Sequence, residues 1–189
     1  MSKAKPPTRR GQHTRQKIID TTIQLISQKT PSQVSLDFIS SKVGVAKSSI
    51  LWHFSSKEGL LLEVLDSAFQ EFQELFLLEN QEENDLEKLL RMFFEAYTQF
   101  IYEKPHINTM LFSLIFDTQV GSAVRERIRE LYRGFRKTIT ENYKLRGKSI
   151  SESHAALIIA LVDGLFLQWF LDPDQISIPG ALQELQSIL

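Results

Sequence analysis

The sequence has no cysteine, so neither a disulfide framework nor a thiolate metal site can hold it together, and a reducing compartment such as the cytoplasm suits it. Glycine is sparse, with eight residues at positions 11, 44, 59, 121, 134, 147, 164 and 180. No two stand close enough for a phosphate-cradling loop or for the elbow that presents a nucleophilic serine. The four histidines, at 13, 53, 106 and 154, lack metal-ligand spacing. These absences argue against an enzyme, and no metal or cofactor is expected. No segment alternates with period two over enough residues for a strand, and nothing repeats at a fixed period. The first residues, MSKAKPPTRRGQHTRQ, carry charge without an apolar core and do not read as a secretory signal. The most apolar stretch, 155–171, contains Asp163, Gly164 and Gln168. A membrane span needs about 20 mostly apolar residues. The stretch therefore reads as a buried helix, and no membrane partner is expected.

What is present is helical periodicity and an uneven charge. The formal net charge of −1 splits into +8 over residues 1–57 and −9 over residues 58–189. A polyanion would meet a basic head on an acidic body. Residues 1–11, with Pro6, Pro7, Lys3, Lys5, Arg9 and Arg10, read as a flexible basic arm. From Thr14, the residues Ile18, Ile19, Thr22, Ile23 and Ile26 recur at helical spacing. The segment Thr30-Pro31-Ser32 ends that helix. A short helix follows over 35–42, with Ser35 as N-cap and Leu36, Phe38 and Ile39 inward. Gly44 breaks it, and a third helix runs over 46–53. Ser55 and Glu58 then fit a capping box at the start of a long helix, 56–78, with apolar residues through Phe72 and Phe76. A polar acidic loop is predicted at 80–85. Further helices are predicted at 86–104, 106–116, 120–146, 151–171 and 179–188. The fold class is all-α, with about nine helices.

Two short helices joined by a turn containing glycine form the helix-turn-helix pattern, here over about 34–54. In such a motif the second helix enters the major groove while the first crosses the backbone. Ile50 and Phe54, four residues apart, turn to the core. Lys47, Ser48, Leu51 and Trp52 then point outward, with Ser49 and His53 at the margins. Lys57 stands in the first turn of the next helix, where backbone amides favour an anion. The candidate DNA contacts are Ser35, Lys47, Ser48, Ser49, Leu51, Trp52, His53 and Lys57, with Arg9 and Arg10 of the arm.

Residues 14–64 resemble the DNA-binding domain of the TetR family of bacterial regulators. The resemblance rests on Gly44-Val45-Ala46-Lys47-Ser48-Ser49-Ile50-Leu51-Trp52-His53-Phe54 and Lys57-Glu58-Gly59-Leu60, in the family's order and spacing. Ala46 replaces the family's usual serine or threonine, which removes a side-chain N-cap. Leu51 replaces a tyrosine that commonly gives its hydroxyl to a phosphate. The resemblance implies a helix-turn-helix domain over 12–56 and a helical effector-binding and dimerisation domain over 57–189. It implies a homodimeric repressor released from a palindromic operator on double-stranded DNA by a small, largely apolar effector. Candidate effector contacts are Phe93, Tyr97, His106, Asn108, Phe112, Phe116, Gln168 and Trp169. The helix 151–171 is apolar on most of its circumference and needs cover on several sides. Candidate dimer contacts are Leu157, Ile158, Leu161, Val162, Leu165 and Phe166, with Leu182 and Leu185 from the last helix. A helical adaptor without DNA binding is the alternative; it has no need of the +8 head. An enzyme lacking any recognisable motif is the other.

Overall fold

The computed structural model describes residues 9–77 and 85–188, apart from the side chains of 72–77, 86, 87, 89, 90 and 185–188. The predicted acidic loop at 80–85 falls almost wholly outside the described residues, as do Lys3 and Lys5 of the arm and the side chains of Phe72, Phe76 and Leu185. Among the described residues there are α-helices and one 3-10 turn, and no strand. The helices are α1 Arg9–Gln28, α2 Leu36–Val43, α3 Lys47–Phe54, α4 Lys57–Leu77 and α5 Leu86–Glu103, followed by α6 Pro105–Phe116, α7 Ser122–Leu145, α8 Glu152–Leu171 and α9 Ile178–Ile188. They fall into two compact units. The first comprises Met1–Phe69 and His106–Ile128, the second Gln70–Pro105 and Arg129–Leu189.

In the first unit, α1 packs against both α2 and α3. Its buried face is Ile18, Ile19, Thr22, Ile23, Leu25 and Ile26, the three-and-four spacing seen in the sequence. The one polar member, Thr22, satisfies its hydroxyl on the Ile18 carbonyl at 2.7 Å. Arg9 and Arg10 already lie in α1 as an exposed turn of the helix rather than in an arm. Thr14 reinforces that turn with a hydroxyl bond to the Arg10 carbonyl. A single glycine at 11 is too weak a breaker to delay the helix.

Both ends of α3 are set by local chemistry. Gly44 takes φ +80° and donates its N–H to the Ser40 carbonyl at 2.9 Å, which closes α2 in the left-handed cap that glycine adopts without strain. Ala46 occupies the N-cap of α3 with no side-chain bond, as its methyl dictates. At the far end, Ser55 has φ +63° and lies between the Phe54 carbonyl and the Ser56 N–H, which bond at 2.7 Å. This is a positive-φ γ-turn, a strained conformation for a residue with a Cβ. It corrects the predicted capping box. Ser55 is used up in ending α3, so Ser56 caps α4, its hydroxyl accepting the Gly59 N–H at 2.9 Å. The Glu58 carboxylate accepts instead from the Ala123 N–H at 3.3 Å.

In the second unit, α9 packs against α5 and α8. Buried residues are Phe94, Tyr97, Phe100 and Ile101 on α5, Leu131 and Tyr143 on α7, and Leu182 on α9. On α8, only Ala155, Ile158, Val162 and Phe166 are buried, a single stripe. The rest of its circumference is left uncovered within the chain: Leu157 is 64% exposed, Leu161 46% and Phe170 51%. Ser151 caps α8 by accepting the His154 N–H.

Gly59 has a role that its sequence position does not announce. A Cβ built there would stand 2.2 Å from the Phe54 carbonyl oxygen, a backbone atom that cannot swing aside. Gly59→Ala should therefore cost about 1–3 kcal/mol, the usual range for forced overpacking, measured as a lower urea midpoint with unchanged slope.

Candidate nucleic-acid interface

The α3 helix is eight residues long, too short to stand without tertiary support. Ile50 and Phe54 provide that support, at 0% and 5% exposure. Their burial turns the opposite face out. Lys47, Ser48, Leu51 and Trp52 are exposed, and Ser49 and His53 are half-buried. Trp52 is 72% exposed and Leu51 39%. The Trp52 indole meets the His53 ring edge-on at 4.6 Å.

Charges within this unit are partly committed to its own framework. Lys47 Nζ lies 2.8 Å from Asp37 Oδ2, an exposed pair linking α3 to the first turn of α2. Pairs of this kind contribute under about 1 kcal/mol. Lys17 donates to the Val43 carbonyl at 2.9 Å and so neutralises the C-terminus of α2. Arg15 sits 5.4 Å from the centre of the Phe54 ring and pairs with Glu63. Burial, with the charge of Arg15, holds the His53 pKa below its ordinary value and favours the neutral imidazole. Ser35 accepts the Phe38 N–H and caps α2.

Lys57, a candidate phosphate contact, also makes a bond within the chain. Its ammonium donates to the Pro31 carbonyl at 2.6 Å, across the turn that precedes α2. Burial lowers its pKa, and nearby Asp117 works in the opposite direction. Asp117 itself accepts the Ser32 N–H at 2.8 Å and the Gln119 N–H at 2.8 Å. Burial alone would raise the Asp117 pKa. The two amides, the Ser32 hydroxyl and Lys57 outweigh it and hold the carboxyl below the ordinary carboxylate value. A second tie, Arg127 to Asp66 at 2.6 Å, joins α7 to α4 within the same unit.

Helices α1 to α3 and the first part of α4 thus support one exposed helix face. Residues 18–64 match the family described as bacterial regulatory proteins, tetR family. The match runs from the middle of α1 through α2 and α3 to the first turns of α4. Across 92% of this chain and 88% of the other, the sequence is 24% identical to the transcriptional regulator TtgR of Pseudomonas putida. Over 68 residues, 36% of each chain, it is 37% identical to IcaR of Staphylococcus epidermidis, a negative transcriptional regulator of a biofilm operon. The fold is that of a tetR-family transcriptional regulator from Agrobacterium tumefaciens, with a TM-score of 0.81, 18% identity, and coverage of 95% of this chain and 98% of that one.

The residues proposed for an effector are divided between the units. In the second unit, Tyr97 is buried and stacks against half-buried Phe93 at 6.0 Å, while Trp169 meets Tyr102 edge-on at 5.3 Å and Gln168 is exposed. Tyr132, which donates to Asp163 at 3.0 Å, was not among the candidates, nor was Asp163. Burial, then Asp163, then Tyr132 keep the Tyr97 hydroxyl protonated far above its ordinary range. In the first unit, His106, Asn108 and Phe112 are half-buried, and Phe112 stacks on Phe116, which is 69% exposed. Asn108 Nδ2 is buried with no hydrogen-bond partner among the described residues.

Lys17, Asp37, Gly59 and Asp117 were missed by sequence reasoning. Lys17 and Asp117 act on partners 26 and 85 residues away, for which a single sequence holds no signal. Because the folded pKa of Asp117 lies below its unfolded value, its stabilisation is present above about pH 4. It is lost as the pH falls through the folded value. Asp117→Asn should lower stability at pH 7 by about 1 kcal/mol, and its stability should fall less steeply than the wild type's below pH 4 in a series of thermal melts.

Proposed function

We propose that this protein is a homodimeric transcriptional repressor that places α3 of each subunit in the major groove of one half-site. The observation that carries the reading is the exposed face of α3, held outward by Ile50 and Phe54 on a head of charge +8. The match of residues 18–64 to the tetR family and the name of IcaR, a negative regulator, support the sense of regulation. Two-fold symmetry in the protein calls for a palindromic or near-palindromic operator on double-stranded DNA. Contacts are assigned to Ser35, Lys47, Ser48, Ser49, Leu51, Trp52 and His53, with Arg9 and Arg10 reaching phosphates from the first turn of α1. Lys57 serves chiefly to hold the turn before α2. A helical adaptor would leave both the basic head and this face without a use.

In this reading, residues 12–56 bind DNA, and residues 57–189 bind a small, largely apolar effector and dimerise. The effector acts by favouring a conformation in which the two heads no longer match the operator; equal affinity for both conformations would shift nothing. Tyr97 and Phe93 are the best-sheltered candidates for that site. The dimer contact falls on the uncovered face of α8, which narrows the expected set to Leu157 and Leu161, with Leu165 half-buried between the faces. Ile158, Val162 and Phe166 lie in the chain's own core, as does Leu182 of α9. A soluble, cytoplasmic protein follows from this function.

Selection of bound fragments from the source genome tests the DNA reading. Affinity for a selected fragment should fall by orders of magnitude between about 50 and 200 mM salt. Lys47→Ala should reduce that affinity several-fold while lowering the melting temperature by no more than about 2–4 °C, the most that one exposed ion pair is worth. Absence of salt-sensitive binding to any fragment refutes the function. For the dimer, light scattering should give twice the chain mass of 21.8 kDa. Leu161→Glu should return the mass to that of one chain with helical content preserved.

A further inference from the structure

The outward face of α3 is unusual in what it offers to base edges. Sequence is read in the major groove chiefly by arginine or lysine on guanine, asparagine or glutamine on adenine, and acidic groups on cytosine. The α3 residues, KSSILWHF, include no arginine, asparagine, glutamine, aspartate or glutamate. The one cation on its outer face, Lys47, is held 2.8 Å from Asp37. Ser48 and Ser49 bring hydroxyls, which pair with any base. His53 is half-buried against Phe54 and Trp52, its ring 4.6 Å from the indole. What projects furthest is apolar: Trp52 at 72% exposure and Leu51 at 39%. They are adjacent, and Leu51 lies one helical turn beyond Lys47 on the same face. Leaving an indole and an isobutyl group in water has a free-energy cost, and neither is needed to hold the helix, since Ile50 and Phe54 do that.

The major groove presents one apolar feature, the C5-methyl of thymine. We infer that Leu51 and Trp52 are the specificity-determining residues of this head, and that they select half-sites carrying thymine opposite α3 by burying its methyl group. The inference rests on the DNA-binding reading and names the chemistry by which that site discriminates. The hydroxyls and Lys47 position the helix on phosphates and tolerate many sequences. Leu51 and Trp52 decide among them. Replacing either leaves the fold alone, because both side chains lie outside the core.

The experiment uses the full-length protein and a random-sequence duplex library, selected for binding at fixed salt. In the duplex that emerges, each thymine is replaced singly by deoxyuridine, which removes only the methyl group. Affinities are measured by fluorescence anisotropy. One or two half-site positions should lose about fourfold in affinity, the worth of one buried methyl. Leu51→Ala and Trp52→Ala should each bind the thymine duplex more weakly, and each should abolish the deoxyuridine penalty at one of those positions. Their melting temperatures should match the wild type. Penalties below twofold at every position in the wild-type protein would overturn the inference. So would penalties that persist unchanged in both variants, or a selected half-site without thymine. Failure of the library to enrich any duplex is a different result: it refutes the DNA-binding reading and the inference falls with it.

Discussion

The orientation of α3 depends on two side chains. Ile50 and Phe54 are the only buried residues of an eight-residue helix, and α1 and α2 supply the surface they pack against. A helix this short has almost no stability of its own, so its direction is set by the packing. The four isoleucines of α1 are in that sense part of what presents the outer face of α3, although none reaches the surface. The two ends complete the constraint. Gly44 turns the chain into α3 through a left-handed cap, and the γ-turn at Ser55 turns it out again toward Gly59 and α4.

Electrostatics in the first unit serves two purposes. The formal charge of +8 overstates what is free to meet a polyanion. Lys17 satisfies the end of α2, Lys57 satisfies the Pro31 carbonyl, Arg15 pairs with Glu63, and Lys47 shares its charge with Asp37. Much of the positive charge therefore stabilises the head before it attracts anything. The residues after α6 contribute to the same unit. Asp117 binds the turn before α2, and Arg127 binds α4. These contacts replace hydration with fixed partners, and such contacts are worth most where water is partly excluded.

The second unit shows the opposite balance, with apolar surface left over. One stripe of α8 lies in the core, and α9 packs beside it. The residues between the buried positions, Leu157 and Leu161 above all, are as apolar as those that are covered. An exposed apolar face of this kind is what marks an interaction surface, and it is where the proposed dimer contact falls.

The helices themselves were legible in the sequence, because periodicity and punctuation are local. The α1 face appears as isoleucines three and four apart, and α2 as Ser35 followed by Gly44. The outer face of α3 follows directly from the spacing of Ile50 and Phe54. Local pattern failed where two local rules competed or where the partner was remote. At Ser55-Ser56 either serine can cap a helix. Only the positive φ forced on Ser55 by the end of α3 hands the cap to Ser56. Leu157 and Ile158 are equally apolar, and only the neighbouring α9 and the fold around α8 decide that one is exposed and the other buried. Lys57 looks in sequence like a cation at a helix N-terminus, whereas the fold brings the Pro31 carbonyl within its reach. The sequence by itself determined the helix class, the turn at Gly44 and the outward face of α3, since these follow from spacing along one chain. The tertiary structure decided which charges are committed, which apolar residues are left uncovered and which serine caps α4, because those depend on atoms brought together from distant parts of the chain.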